Sequence, residues 1–217
     1  MKTIKVKKEV FKNEFPDLEE VSERLDKLGH GESIGELNWE KFKYHPETRF
    51  NIAYSGREIF LKYYITEDFV KAEKSESNQM VCEDSCVEFF VSPAADGIYY
   101  NLEFNPIGTC LLGSGASRKD TTWAPLNVID RIRRKGSLGT VPFKERKGEF
   151  FWTITIAIPF EVFFRHSIQS LEGVSFRANF YKCGDMLSQP HYLTWNRVGT
   201  ENPDFHQPEY FGQLSFE

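Results

Sequence analysis

Hydrophobic and polar residues alternate with a period of two along most of the chain from residue 48 onward, which is typical of half-buried β-strands. The alternation runs through residues 50–54 and 59–65, and the turn Ser55-Gly56 between them indicates a hairpin. It returns in six further segments, residues 86–92, 99–105, 109–112, 150–158, 174–181 and 210–216. Short strands separated by Gly, Pro, Asn and Asp predict an all-β fold, an antiparallel β-sandwich of the jelly-roll or immunoglobulin-like two-sheet kind.

The first 45 residues are rich in charge and follow a different period. Apolar residues recur there at helical spacing, at Leu18, Val21, Leu25 and Leu28. Asp17 stands where a capping residue is expected, and Gly29 is placed to end the helix. We therefore expect a short N-terminal helix within an extension, residues 1–36, that packs on a sandwich domain spanning residues 37–217.

The alternation also divides the side chains of each strand between its two faces. In residues 86–92 the core set is Val87, Phe89 and Val91, which leaves Glu88 and Phe90 on the opposite face. The next predicted strands add amides, a carboxylate, an arginine and aromatic rings to that face, at Tyr99, Asn101, Glu103, Asn105, Ser175, Arg177, Asn179 and Tyr181. Such groups suit a carbohydrate, whose C–H surface stacks on rings and whose hydroxyls need paired donors and acceptors. The alternative, that they pair across strands or lie under loops, stays open.

Composition favours β structure and excludes several classes of function. Phe, Tyr and Trp make up 15% of the 217 residues, and aromatic residues favour strands and offer flat platforms for sugar rings. The net charge of −5 argues against a nucleic-acid partner, although residues 131–135 form one basic cluster. No apolar run approaches the roughly 18 to 20 residues of a spanning helix, so we expect no membrane partner. The oligomeric state is left open by these features.

The four cysteines and three carboxylates are the candidates for metal ligands. Cys82, Cys86, Cys110 and Cys183 show neither CxxC nor Cys/His spacing, so they are interpreted as small buried hydrophobes rather than zinc ligands. Oxygen ligands for calcium are available at Glu83, Asp84 and Asp204, without the spacing of a dedicated loop.

The basic N-terminus is followed by no apolar segment of a signal peptide, so we expect a cytoplasmic protein, or a periplasmic or extracellular one if a leader has been removed.

Three segments carry moderately specific motifs, residues 83–91, 99–109 and 203–212. The first contains Asp-Ser-Cys-Val-Glu-Phe-Phe and the last contains Pro-Glu-Tyr-Phe-Gly. With them the chain resembles the family 9 carbohydrate-binding modules and the wider grouping of DOMON-like sandwiches, from about Leu37 to the C-terminus. The resemblance implies non-catalytic binding of an oligosaccharide or polysaccharide, at a chain end, in the service of polysaccharide catabolism.

The resemblance also implies a site in which an arginine, an acidic residue and amides bond sugar hydroxyls between aromatic side chains, in some members with structural calcium. Glu88 occupies the acidic position, and Arg118 follows the loop of residues 113–115 as the sugar-binding arginine. Trp195 and Asn196 are expected to form one stacking wall and its amide. Trp123, Tyr99 or Tyr192 would supply the second wall, because Cys82 stands where the family often has an aromatic residue. The expected ligand-binding set is Trp195, Asn196, Arg118, Glu88, Trp123, Asn101, Asn105 and Tyr99.

Two other functions stay open. Glu88 and Glu103 on neighbouring strands would suit a glycoside hydrolase, or an accessory subunit of one, whose two carboxylates stand roughly 5 to 10 Å apart. The DOMON-like relationship suggests a haem- or redox-binding sandwich, which needs axial Met or His ligands at a pocket. The chain has three methionines and no Cys-x-x-Cys-His motif, which disfavours haem. We assign no catalytic residue, and calcium is the one cofactor considered.

Overall fold

The computed structural model describes all 217 residues and consists mainly of β-strands with two short α-helices. The elements follow in the order β1 (Thr3–Lys8), α1 (Leu18–Asp26), β2 (Glu32–Ser33), β3 (Glu36–Leu37), β4 (Glu47–Tyr54), β5 (Glu58–Ala72), β6 (Cys86–Ser92), β7 (Tyr99–Phe104), β8 (Cys110–Gly115), β9 (Thr122–Trp123), α2 (Leu126–Ile129), β10 (Arg133–Gly136), β11 (Phe143–Pro159), β12 (Ser175–Cys183), β13 (Tyr192–Thr194) and β14 (Gly212–Phe216). Short 3₁₀ turns lie at Val81–Glu83, Arg118–Asp120, Phe160–Val162 and Pro208–Tyr210. The prediction of an all-β fold with a short helix near the N-terminus is confirmed.

Eleven strands form one continuous hydrogen-bonded path in the order β10-β11-β5-β4-β1-β14-β12-β6-β7-β8-β9. The pairings are antiparallel except those of β1, which runs parallel to both β14 and β4. This strand corrects two expectations, since the sheet is not wholly antiparallel and residues 3–8 lie within the sheet rather than in an extension on its surface. β1 joins the two halves of the curled sheet.

The two halves of the sheet face each other across the main core. Phe50 of β4 stacks on Phe180 of β12 with ring centroids 3.8 Å apart. The inward-facing set predicted for β6 belongs to this core. So do Phe176, Ala178 and Phe180 of β12 and the apolar residues of β7, which alternate with the residues predicted for the opposite face. Alternate residues of β4 and β5 complete it. The alternation therefore predicted the buried face of these strands correctly.

Helix α1 covers the outer face of β4, β5 and β11. Val21 and Leu25 pack there against Ala53, Phe60 and Ala157. The Asp17 carboxylate accepts a hydrogen bond from the Glu20 N–H at 2.9 Å, as the capping prediction requires. Gly29 has φ +99°, a backbone angle that favours glycine after a helix. None of the helices combines the length and the apolar run that a membrane crossing needs.

A second apolar cluster covers much of the opposite face of β6, β7, β8 and β12. It contains Phe90, Tyr99, Tyr181, Phe205 and Phe211, among others. Tyr181 and Phe205 stack with ring centroids 4.1 Å apart, so loop residues close over the strands. The face that the alternation set apart from the main core is therefore largely buried, and only one part of it remains open as a cavity.

Candidate functional site

The cavity has a volume of about 370 Å³, within the usual size range of small-molecule sites. Its floor consists of side chains from adjacent strands, Glu88 of β6, Asn101 and Glu103 of β7, Leu111 of β8 and Cys183 of β12. The register pairs Glu88 directly with Glu103, and the period of two brings Asn101 and Glu103 to the same side of β7. The floor is therefore polar and is held by the central strands of one half of the sheet.

Aromatic side chains from loops and from the short strands β9 and β13 form the walls. The rings of Phe42 and Tyr192 meet edge to face with centroids 4.8 Å apart, and the centroid of the Phe205 ring lies 6.1 Å from that of Tyr192. Trp123 of β9 also lines the cavity and keeps 47% of its surface exposed. These walls offer flat apolar surface above a hydrogen-bonding floor.

Gly113 allows the wall and the floor to approach each other. A Cβ atom at this position would stand 2.5 Å from Asn101 Oδ1 and 3.0 Å from the Trp123 ring. No side chain larger than hydrogen fits there without displacing one of these groups. Residues 113–115, expected to form a loop before Arg118, instead belong to strand β8, and Gly113 there places the indole beside the amide.

Arg118 and Asp204 carry opposite charges in the lining of the cavity. Arg118 Nη2 lies 3.4 Å from Asp204 Oδ1, and the arginine side chain keeps 65% of its surface exposed. Asp204 also accepts hydrogen bonds from the His206 backbone N–H and from Gln207 Nε2, which orders this loop. Burial lowers the pKa of His206 to about 4, so its ring is neutral where Nδ1 meets the Tyr99 hydroxyl at 2.8 Å.

Burial also acts on the carboxyl groups of the cavity. It raises the pKa of Glu103 to about 7 and that of Asp185 to about 6, while the Arg118 guanidinium opposes both shifts. Burial, followed by the charge of Glu103, raises the pKa of Glu88 well above its usual range. Around neutral pH the floor therefore still holds protons that exposed carboxylates would have lost.

Two buried acceptors of the floor have no hydrogen-bond partner in the protein. Asn101 Nδ2 donates to Glu103 Oε1 at 3.0 Å, which leaves Asn101 Oδ1 and Glu103 Oε2 without donors. A buried polar atom left unpaired costs about 1 to 3 kcal/mol. These two neighbouring atoms therefore mark the place where a ligand with two adjacent donors would gain most.

The free energy of unfolding is expected to fall as the pH rises from about 5 to about 7. Because burial raises the pKa of Glu103 from its usual 4.5 to about 7, the folded chain holds a proton in this interval that the unfolded chain has lost. Glu88 and Asp185 act in the same direction. Urea denaturation at several pH values should show a shallower decline for Glu103→Gln than for the natural chain. The exposed Glu149→Gln serves as the control, and an equal decline in all three proteins would contradict the expectation.

Four of the eight predicted ligand residues meet in the cavity, namely Glu88, Asn101, Arg118 and Trp123. Tyr99 lies one layer behind, where it is 1% exposed and contacts the cavity residue His206 through its hydroxyl. Tyr192, considered as a second wall, does line the cavity. The structure therefore places Trp123 and Tyr192, but not Tyr99, where a ligand would meet an aromatic surface.

Trp195, Asn196 and Asn105 lie elsewhere, and their expected ligand roles are corrected. Trp195 is fully buried in the main core, where its Nε1 donates to Glu32 at 3.0 Å. The side chain of Asn196 bonds backbone atoms, accepting from the Lys2 N–H and donating to the Tyr210 carbonyl. Asn105 is also fully buried, and its amide bonds Lys74, Asp84 and Thr109. Structural contacts occupy all three side chains.

Sequence reasoning missed Phe42, Asp185, Phe205 and His206 as parts of the cavity. The last two lie inside the terminal motif of residues 203–212, which supported the family resemblance but to which no ligand role was assigned for Phe205 or His206. Phe42 and Asp185 stand in segments without strand alternation, so no periodic signal places them. The loops that carry these residues reach the cavity only through the tertiary fold.

The structure also locates the residues of the alternatives. Glu88 and Glu103, considered for a hydrolase, occupy directly paired positions on the floor. Among the three methionines, Met80 alone lines the cavity, where the haem alternative would need an axial Met or His ligand. The carboxylates considered for calcium do not converge, because the one group of potential ligands with mutually close atoms is Cys86, Glu88 and Cys183. Asp84 instead accepts hydrogen bonds from Asn105 and from the Lys74 N–H.

An all-β fold with an aromatic-walled, polar-floored cavity defines a small-molecule-binding domain. The family model described as Carbohydrate-binding family 9 matches residues 20–216, and the chain belongs to this family. The expectation drawn from the motifs is thereby confirmed at the level of the family.

Solved structures extend the comparison. A candidate carbohydrate-binding protein from Bacteroides uniformis ATCC 8492 is 44% identical, with a TM-score of 0.96 over 100% of this chain and 99% of that chain. Two structures of a family 9 carbohydrate-binding module from Caldicellulosiruptor kristjanssonii, in complex with glucose and with cellotriose, are 13% identical with a TM-score of 0.63. They cover 100% of this chain and 96% and 94% of theirs, and at this identity they show a shared fold. A search of curated proteins gives no match.

Proposed function

We propose that the cavity binds one sugar unit of an oligosaccharide or polysaccharide without catalysing its cleavage. The observation that carries the proposal is the pair of unpaired acceptors, Asn101 Oδ1 and Glu103 Oε2, at the floor of a cavity that an exposed indole also lines. Such binding would serve polysaccharide catabolism by holding a sugar chain. The curled sheet also supports a two-layer sandwich as the scaffold of the site.

The polar floor suits neighbouring hydroxyls of a pyranose. Each hydroxyl carries one donor and two acceptor positions, so two adjacent hydroxyls can donate to Asn101 Oδ1 and Glu103 Oε2 at once. The exposed guanidinium of Arg118 has donors for the acceptor positions that remain on the sugar. The floor can thus fix the orientation of a sugar without any covalent step.

The aromatic walls suit the apolar surface of the sugar ring. Trp123 is 47% exposed, whereas Trp39, Trp152 and Trp195 are all buried. An exposed indole beside unpaired acceptors offers stacking and hydrogen bonding to the same ligand. Family 9 modules from C. kristjanssonii were solved with glucose and with cellotriose, which makes these sugars the first ligands to test.

Trp123→Ala is expected to weaken cellotriose binding about fivefold, since stacking on an aromatic side chain is worth about 1 kcal/mol and about 1.4 kcal/mol corresponds to a factor of ten. Because the other three indoles are buried, the sugar-dependent change in tryptophan fluorescence should also vanish in this variant. Calorimetric titration measures the affinity independently of fluorescence. Phe151→Ala is the control, because Phe151 is a 64% exposed aromatic residue of β11 that does not line the cavity.

Glu103→Gln tests the floor in the same titration. The substitution retains the shape of the side chain but replaces one carboxyl oxygen with an amide N–H donor, so we expect weaker binding by the value of one lost hydrogen bond, about 0.5 to 1.5 kcal/mol. Unchanged affinity in both Trp123→Ala and Glu103→Gln would refute the proposed site. Turnover of chromogenic glycosides that is lost in Glu88→Gln would instead support the hydrolase alternative.

A further inference from the structure

The floor of the cavity also holds a cluster of metal-ligating groups that the proposed sugar contacts do not use. Cys86 of β6 and Cys183 of β12 are directly paired across the two antiparallel strands. Glu88 follows Cys86 by two residues, so its side chain projects from the same face of β6. All three residues are buried, and two of them, Glu88 and Cys183, line the cavity.

The distances within this cluster match a tetrahedral metal site. Cys183 Sγ lies 3.1 Å from Glu88 Oε1, Cys86 Sγ lies 3.9 Å from the same oxygen, and the three ligand atoms all lie within 4.8 Å of one another. With Zn–S bonds of about 2.3 Å and Zn–O bonds of about 2.0 Å, tetrahedral angles place sulfur about 3.5 Å from oxygen and about 3.8 Å from sulfur. Small side-chain movements would therefore bring the three atoms around one ion.

We propose that Cys86, Cys183 and Glu88 bind a thiophilic divalent cation, with Zn²⁺ as the best fit. Two thiolates and one carboxylate form a soft donor set that suits Zn²⁺, whereas Ca²⁺ and Mg²⁺ prefer oxygen ligands only. Three protein ligands leave a fourth tetrahedral position free. Because Glu88 and Cys183 line the cavity, the ion can enter from that side and direct its free position toward it.

The charges around the cluster are consistent with a bound dication. Binding releases two thiol protons and any proton on Glu88 to solvent, which leaves three negative ligands around two positive charges. Arg118 adds one positive charge to the lining of the same cavity, and Glu103 and Asp185 are acidic groups of that lining. The metal site does not depend on carbohydrate binding, since Asn101, Glu103 and Trp123 are not among its ligands.

Titration of the reduced protein with Co²⁺, followed by displacement with Zn²⁺, tests the proposal. We expect an ultraviolet thiolate-to-cobalt charge-transfer band and a visible tetrahedral d–d band that saturate at one ion per chain. Both bands should disappear in Cys86→Ser and in Cys183→Ser. Cys110→Ser is the matched control, because Cys110 is equally buried but belongs to the main core, and it should retain both bands.

The spectrum of the natural chain decides the question even if a serine variant fails to fold. A weak octahedral spectrum without a thiolate band would mean surface binding only and would overturn the proposal. Full bands in folded Cys86→Ser and Cys183→Ser, with folding checked by circular dichroism, would overturn it as well. As a second measurement on the natural chain, Zn²⁺ should raise the melting temperature with increasing free metal, and no rise at saturating Zn²⁺ would count against the site.

Discussion

Trp195→Ala is expected to lower the free energy of unfolding by about 3 to 5 kcal/mol, the cost typical of removing a buried aromatic side chain. The indole packs edge to face against Phe180 and Phe50, with ring centroids 5.6 and 6.4 Å apart. A Cβ atom at Gly212 would stand 2.4 Å from the Trp195 ring, so β14 approaches the indole closely. Alanine would leave a cavity at this junction and would deprive Glu32 of its indole donor.

Urea denaturation and sugar titration together separate the roles of two tryptophans. Trp195→Ala should reduce stability strongly, whereas Trp123→Ala should change it by about 0.5 kcal/mol or less, as exposed substitutions usually do. Sugar affinity should change in the reverse order. The folded fraction of Trp195→Ala should bind the sugar nearly as well as the natural chain, whereas Trp123→Ala should bind it more weakly. A stable Trp195→Ala protein that has lost sugar binding would contradict the placement of this residue in the core.

The local sequence does not distinguish these two tryptophans. Both stand in segments without extended alternation, since β9 has two residues and β13 has three. Trp123 stays exposed because β9 is the last strand on the path of the sheet, so one side of it has no neighbour. Trp195 follows β13, where packing against β4, β12 and Gly212 buries it. Exposure here depends on contacts that are distant in sequence.

Much of the fold could be predicted because its strands are long enough for a period of two to emerge. β6, β7 and β12 presented the predicted sides to the main core. α1 began at the predicted capping residue Asp17 but ended at Asp26, before Leu28 and Gly29. β1 was missed although Ile4 and Val6 alternate with lysines, because that segment was interpreted through its charge. Its parallel pairing with strands from both halves of the sheet has no local signal.

The sequence predicted the site residues that lie on strands better than those that lie in loops. Glu88 and Asn101 lie on long strands, and the alternation assigned them to the face that holds the cavity. The pairing of Cys86 with Cys183 was not predictable, because cysteine spacing along the chain cannot reveal a contact that the register of two strands creates. Strand faces are encoded locally, whereas strand neighbours are not.

Lys182→Met is expected to destabilise the protein by about 3 to 5 kcal/mol, because it removes one partner of a fully buried ion pair. Lys182 Nζ lies 2.9 Å from Glu67 Oε2, and both side chains are completely inaccessible to solvent. The ammonium group also donates to His191 Nε2 at 2.8 Å and to the Cys183 carbonyl at 3.0 Å. Burial, followed by the charge of Lys182, lowers the pKa of His191 well below its usual range, so this ring stays neutral and accepts.

The reason for the large effect is the carboxylate that would remain. Methionine matches the length of lysine but cannot compensate Glu67, whose other oxygen accepts only the Trp152 indole N–H at 2.7 Å. Lys182→Met combined with Glu67→Gln removes both charges and should recover most of the lost stability, because the cost arises from an uncompensated buried charge. Urea denaturation of the two single variants and the double variant measures this coupling. Additive losses would show that packing, rather than charge compensation, connects β12 to β5 beneath the cavity.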